Sequence, residues 1–236
     1  MSEVGDKIKT SNANWRFNED VVDGFDSHVS KSVPFYEEGH DLVKKISDFF
    51  ISDYSVCYEI GCSTGSLLKL LDERNSKNQV SLIGIDNEKA MVKYAKNKCK
   101  DNKSISILHS DALDFEFKKS DLIISYYTMQ FIKPRNRQIL MDRIYESLNW
   151  GGAFILFEKV RAPDARFQDI ATALYTDFKI DNKYTSEEII NKTKSLKGIL
   201  EPFSTQANFD LLKRSGFKDT MSIMKYVCFQ GFLAIK

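Results

Sequence analysis

Val56-Cys57-Tyr58-Glu59-Ile60-Gly61-Cys62-Ser63-Thr64-Gly65-Ser66-Leu67-Leu68 is the stretch from which the rest of the chain can be read. Residues 56–60 are short and apolar, a glycine turn comes at once, and a helical pattern occupies 66–74, giving a strand, a tight turn and a helix. In an open α/β sheet, ligands sit outside the carboxyl ends of the strands, where the first strand turns into the first helix. Gly61 and Gly65 fall at that turn. Without a Cβ they permit unusual backbone angles and close ligand approach, and amides at the start of the next helix can receive polar or anionic groups. A purely structural turn would use the same two glycines, so their meaning depends on the residues at the ends of the later strands.

Further along the chain, residues 81–85 form a second apolar strand ending at Asp86. A helix then runs through Ala90, Met91, Tyr94 and Ala95, and 105–108 is a third strand. Residues 122–125 are the fourth strand, 138–148 the next helix, and 153–157 the fifth strand after the Gly151-Gly152 turn. Strands alternating with helices indicate βαβ units and a mainly parallel sheet. Upstream, 1–14 reads as a flexible lead-in. Trp15, Phe17, Val21, Val22, Phe25 and Val29 then recur at helical spacing, Pro34 interrupts, and a second amphipathic helix is expected over 39–50. Downstream, a helical insertion over about 164–214 precedes two last strands at 221–226 and 231–235. The expected architecture is α/β: a mainly parallel seven-stranded sheet with helices on both faces, N-terminal helices and the late insertion, all in one domain over 15–236.

Composition agrees with a single globular domain. The 236 residues are 42% hydrophobic and 28% charged, ordinary proportions for a soluble fold. Lys plus Arg number 34 against 33 acidic residues, a formal charge of +1, so no bulk field draws the chain to nucleic acid, and no nucleic-acid partner is expected. Four cysteines without CxxC pairing and three histidines without ligand spacing give no metal site and no disulfide framework. No apolar leader or run of ~18 apolar residues is present. A cytoplasmic protein with a small-molecule substrate, no membrane partner and a homodimeric state as an option is the expectation.

Three elements on successive strand ends outline a nucleoside site. The first is the turn itself, Glu59, Gly61, Cys62, Ser63 and Gly65. The second is Asp86, 21 positions after Gly65, whose carboxylate can accept both ribose hydroxyls or else cap the helix beginning near Glu88. The third is Asp111, which can accept an adenine amino hydrogen, with Ala112 supplying a backbone amide. The G-x-G-x-x-G of dinucleotide enzymes is absent, which disfavours a nicotinamide dehydrogenase.

Glu59-x-Gly61-x-Ser63-x-Gly65 resembles the first motif of class I methyltransferases, with Ser63 at the middle glycine. From Ser32 to the C-terminus the chain is similar to the carboxy-S-adenosylmethionine synthase family, relatives of methyltransferases in bacterial wobble-uridine modification. The similarity lies in Ser32-Val33-Pro34-Phe35-Tyr36, Gly61-Cys62-Ser63, Gly84-Ile85-Asp86-Asn87, Thr128-Met129-Gln130-Phe131, Leu148-Asn149-Trp150-Gly151-Gly152, Glu158-Lys159, Lys213-Arg214-Ser215-Gly216-Phe217 and Cys228-Phe229-Gln230-Gly231. The resemblance implies a Rossmann-like class I methyltransferase fold and S-adenosyl-L-methionine, or its carboxylated derivative, as cofactor. It also implies Tyr36, Gly61, Cys62, Ser63, Asp86, Asn87 and Asp111 as lining residues. Two positions depart from the family. Its carboxylate-holding arginine falls on Thr193, with the neighbouring Lys192 or Lys194 as partner under a shifted alignment, and an asparagine after the fourth strand falls on Tyr126.

Methyl transfer from a sulfonium needs in-line approach, so orientation can supply much of the catalysis. Tyr36, Tyr126 and Tyr127 can wall the sulfonium through cation–π attraction. Lys159 and Arg161 lie where substrate enters such folds and can hold an anion. Tyr175, in a stripe with Phe167, Ala171, Leu174 and Phe178, can close the pocket against Tyr36. His28 and His40 are candidate bases, although surface positions are the simpler expectation for both, and Cys62 reads as a small turn residue. Methyl transfer to a small molecule is the first expectation. Carboxyl transfer to the cofactor is the alternative, and a non-catalytic sensor or scaffold the rival from outside enzymology.

Overall fold

The computed structural model describes residues 2–6, 8–17 and 19–236. Among them the elements run, in chain order, β1 (Ser2–Glu3), β2 (Lys9–Thr10), α1 (Glu19–Val22), α2 (Phe25–Ser32), α3 (Tyr36–Ile46), β3 (Val56–Ile60), α4 (Ser66–Arg74), β4 (Ser81–Asp86), α5 (Lys89–Lys98) and β5 (Ile105–His109). They continue with β6 (Ser120–Tyr126), α6 (Pro134–Ser147), β7 (Leu148–Lys159), α7 (Ala165–Asp181), α8 (Ser186–Ser195), α9 (Thr205–Ser215), β8 (Asp219–Tyr226) and β9 (Phe229–Ile235).

The large sheet has the order β5-β4-β3-β6-β7-β9-β8. Its first five strands are parallel, and β9 inserts antiparallel between β7 and β8. Both faces are covered, which is why the central strands are apolar throughout rather than alternating. Cys57, Leu122, Ile124 and Ile155 face a cluster that includes Val43 of α3, Leu68 of α4 and Val92 of α5. Their neighbours Tyr58, Ile60, Ile123 and Phe154 face Leu140 and Ile144 of α6 and Leu212 of α9 on the other side. Strand order reverses between β4-β3 and β3-β6, so the crevice expected for a ligand opens at the carboxyl ends of β3, β4 and β6. No helix among the described residues is long and apolar enough to cross a membrane.

Three expectations need correction. The lead-in over 1–14 has structure of its own: β1 and β2 pair antiparallel, and Val4 and Ile8 join Trp15, Val21, Phe25 and Met91 in a separate apolar cluster. Val4 and Ile8 in that cluster, with Asp6 bonded to His28 and Lys31, dock it, and no apolar run announces this in so polar a stretch. The helix expected over 15–29 is two helices, broken at Asp23-Gly24, with Gly24 preceding α2. The insertion over 164–214 is three helices, each with its own start: Asp164 accepts from the Phe167 amide, Thr185 and Glu188 form a capping box, and Ser204 accepts from the Ala207 amide. Of these, α9 packs against α6 and belongs to the sheet layers, leaving α7 and α8 as the insertion proper.

Candidate active site

The cofactor half of the site is built from backbone. Where β3 ends, the Gly61 and Cys62 amides both donate to the Ile85 carbonyl, at 2.7 and 3.1 Å. Gly61 has φ +72°, and a Cβ there would lie 2.2 Å from Thr128 Oγ1, so both conformation and space require glycine. Ser63, at the family's middle glycine, keeps the left-handed conformation with φ 47°. Asp86 at the end of β4 accepts the Ser63 amide on Oδ2 and the Glu88 amide on Oδ1, each at 2.9 Å. It therefore pins the loop and the start of α5 together while each oxygen keeps lone-pair capacity for a further donor. Burial raises its pKa, and the two amides oppose that rise.

Behind the loop, Glu59 is 4% exposed, and its Oε2 has no hydrogen-bond partner among the described residues. Burial lifts this carboxyl well above the usual range, and Asp86 adds to the effect. A buried polar atom left without a partner is costly. The amino group of S-adenosylmethionine would satisfy it, as the ribose hydroxyls would the free lone pairs of Asp86. The residues present thus fit the cofactor. Asp111, exposed, accepts the Leu113 amide at 2.9 Å and lines the cavity rim with Asn87 and Ala112. Gly65 is the one cofactor candidate that does not line the cavity. It precedes α4 with φ +77°, and a Cβ there would meet Cys99 Sγ at 3.0 Å.

Facing the loop is an aromatic wall. Tyr36 lies 5.1 Å from the Tyr126 ring and 6.3 Å from the Tyr127 ring, and His40 fills the corner at 4.6 Å from Tyr36. The Tyr126 hydroxyl donates backward to the Tyr36 carbonyl at 2.6 Å, so this residue offers its ring and not its oxygen. His28 and His40 are not surface residues, being only 3% and 6% exposed. The helices that carry them fold onto the sheet edge, and burial pushes both imidazoles down to about 4. Cys62 is buried, and burial pushes its thiol well up, which suits a packing residue.

The third side comes from β7, α7 and α8. Lys159 and Lys179 both approach the Tyr175 ring, at 4.1 and 4.4 Å from its centre, and the Tyr175 hydroxyl donates to the Ser32 carbonyl at 2.8 Å. Lys192 is buried beside them. Among the described residues none of the three lysines has a carboxylate within ion-pair distance. Burial lowers all three, Lys179 to about 8 and Lys192 to about 7. Thr193 lines the cavity but donates its hydroxyl to the Ile189 carbonyl at 2.8 Å, and Arg161 is exposed at the rim. The stripe expected on α7 divides: Ala171 and Tyr175 line the cavity, whereas Phe167 and Leu174 are exposed. The cavity volume is about 590 Å³, in the range of ligand pockets. Lys179 is not legible from sequence because nothing in Asp177-Phe178-Lys179-Ile180-Asp181 distinguishes it from a solvated helix charge. Its spacing of four from Tyr175 is the available signal.

Residues 58–152 match the model of a methyltransferase domain. The carboxy-S-adenosyl-L-methionine synthase of Staphylococcus epidermidis is 40% identical over 94% of this chain and 97% of its own. That of Campylobacter lari is 38% identical over 94% of each. Among solved structures, an O-methyltransferase family protein from Burkholderia thailandensis superposes with a TM-score of 0.65 at 12% identity, covering 92% of this chain and 60% of that one. At that identity the likeness concerns the fold.

Proposed function

We propose, since this chain belongs to the carboxy-S-adenosyl-L-methionine synthase family, that it transfers a carboxyl group from a small carboxylate-bearing donor onto the methyl carbon of S-adenosylmethionine: the donor's bond to its carboxyl carbon breaks, a bond from that carbon to the methyl carbon forms, and the methyl proton is taken up by the base released on the remainder of the donor. The observation that carries this reading is the trio of Lys159, Lys179 and Lys192, cationic side chains drawn into the cavity without carboxylate partners. A buried ammonium lacking a counter-ion is unfavourable, and an anionic ligand relieves three at once. S-adenosylmethionine-dependent transferase chemistry holds under this reading and under methyl transfer to a small molecule. The relatives, similar over almost the whole chain, favour carboxyl transfer.

Each wall has a task in that reaction. The cofactor supplies the sulfonium-bound methyl carbon that receives the new group. Glu59 and Asp86 hold its amino and ribose ends, and the rings of Tyr36, Tyr126 and Tyr127 surround its charge and exclude water. Lys159 and Lys179, held over Tyr175, attract the donor's carboxylate, and Lys192 holds the carboxyl group of the product. Lysine contributes a point charge where the family arginine offers a planar fork, so several lysines stand in for one guanidinium. A cavity of about 590 Å³ lined by aromatic rings and a few charged groups suits a small ligand rather than a nucleic acid.

Calorimetry with S-adenosylmethionine and carboxy-S-adenosyl-L-methionine tests the assignment. The protein should bind the carboxylated nucleoside about tenfold or more tightly, as one charge-assisted contact allows. Lys192→Met should erase the difference. Equal affinities in the unaltered protein would favour methyl transfer.

A further inference from the structure

Lys192 is held from behind by groups outside the cofactor site. Its Nζ lies 2.7 Å from His28 Nε2 and 2.6 Å from Ser32 Oγ. The other ring nitrogen of His28, Nδ1, lies 2.8 Å from Asp6 Oδ2, and Lys31 contacts the second oxygen of Asp6 at 2.6 Å. The partners define the tautomer: a carboxylate only accepts and an ammonium only donates, so the His28 proton resides on Nδ1 and the bare Nε2 accepts from Lys192. Ser32 gives its own proton to the His28 carbonyl at 2.9 Å, leaving its lone pairs for Lys192 and for the Tyr184 hydroxyl at 2.9 Å. Two of the three N–H bonds of Lys192 are thereby fixed, and the third has no protein acceptor among the described residues, on a side chain that lines the cavity.

The geometry points to His28, backed by Asp6, as the positioning residue that holds Lys192 as an aimed ammonium for recognition of the substrate-derived carboxylate. This role rests on the carboxyl-transfer reading and goes beyond it, since no cofactor or donor contact with His28 or Asp6 is required. The imidazole is suited to it: as a neutral acceptor it steadies an ammonium without competing with the incoming anion. Around Lys192 stand Asp6 from the N-terminal segment, His28 and Ser32 from α2, Tyr184 before α8, Lys179 from α7 and Lys159 from β7. Of these, Lys179 and Lys159 disfavour its charge and Asp6 favours it. Removing the acceptor on His28 should make the proton on Lys192 easier to lose.

The test is calorimetry of S-adenosylhomocysteine, S-adenosylmethionine and carboxy-S-adenosyl-L-methionine on both sides of pH 7, with His28→Leu, His28→Gln and Asp6→Ala beside the unaltered protein. The unaltered protein should prefer the carboxylated nucleoside, and the preference should fade as pH rises through about 7. In His28→Leu the preference should fall about tenfold and fade at lower pH, while undiminished binding of S-adenosylhomocysteine shows the fold intact. His28→Gln, which keeps an acceptor for Lys192 and a donor for Asp6, should retain most of it. Asp6→Ala, which releases the tautomer, should move the fading to lower pH. This variant carries the test if His28→Leu does not fold. No preference in the unaltered protein would overturn the carboxyl-transfer reading and this role together. A preference that His28→Leu and Asp6→Ala leave unchanged in size and pH dependence would overturn the positioning role alone.

Discussion

Asp86 has the capacity for two duties that the sequence alone leaves as rivals. It accepts the amides of Ser63 and Glu88 and still has lone pairs for a ribose. Asp86→Ala should weaken S-adenosylmethionine binding by about 2 kcal/mol, a charged acceptor's worth of hydrogen bonding, and calorimetry would measure it. Unaltered affinity would leave Asp86 only the backbone role. Away from the cavity, Glu158 is 1% exposed, and burial, opposed by Arg137, raises its carboxyl from 4.5 to about 8. The unfolded chain then releases this proton near 4.5 while the folded chain retains it to about 8, so Glu158 costs stability increasingly between those values. Glu158→Gln should accordingly gain in melting temperature over the unaltered protein as pH rises through that window, with no gain at its acid end. At this scale, legibility depends on strand ends. Asp86 directly succeeds an apolar strand and is readable, whereas the alignment of α8 falls on Thr193 and leaves Lys192 and Lys194 as alternatives, because one step on a helix turns a side chain by roughly 100°. Thr193 and Lys192 both line the cavity, but Thr193 spends its hydroxyl on the Ile189 carbonyl, whereas α2 holds the Lys192 ammonium.

The second helix is the element that couples the two halves of the site. At its start, Asp26 accepts from Thr64 Oγ1 at 2.7 Å, Ser66 Oγ at 3.0 Å and Lys98 Nζ at 2.8 Å, bracing the cofactor loop from outside. From its middle and its end, His28 and Ser32 hold Lys192. Asp26→Ala should loosen the loop and weaken cofactor binding by about 1 kcal/mol, seen as a several-fold rise in Kd. No change would show that the loop is self-supporting. The third helix makes a sharper case. Gly39→Ala would ordinarily gain about 1 kcal/mol in a helix, but its Cβ would lie 2.1 Å from the Tyr126 hydroxyl, which is tied to the Tyr36 carbonyl. Overpacking of this kind costs about 1–3 kcal/mol, so a lowered melting temperature is expected, and Tyr126→Phe should recover part of it. The boundaries inside 164–214 are legible in principle, since Asp164, Thr185 with Glu188, and Ser204 are ordinary start signals. The assignment of α9 to the sheet layers is not, because it depends on contact with α6.

Across the whole molecule, the order of strands places the glycine loop, Asp86 and the turn after β6 around one crevice, and the N-terminal segment and insertion pack against each other beside it. The parallel sheet, its seven strands and the cofactor loop can be read from alternation and from one turn. On the lysine-lined side Lys159 is readable by its place after the fifth strand, but its meeting with Lys179 and Lys192 is not, because they come together only when β7, α7 and α8 fold against α2. The most direct measurement is a mass spectrum of the nucleoside extracted from purified protein produced in cells that make S-adenosylmethionine. The lysine-lined cavity predicts S-adenosylmethionine carrying an added carboxyl group as the principal bound species. Extraction of only S-adenosylmethionine and S-adenosylhomocysteine, at high occupancy, would contradict carboxyl transfer and return the chain to methyl transfer.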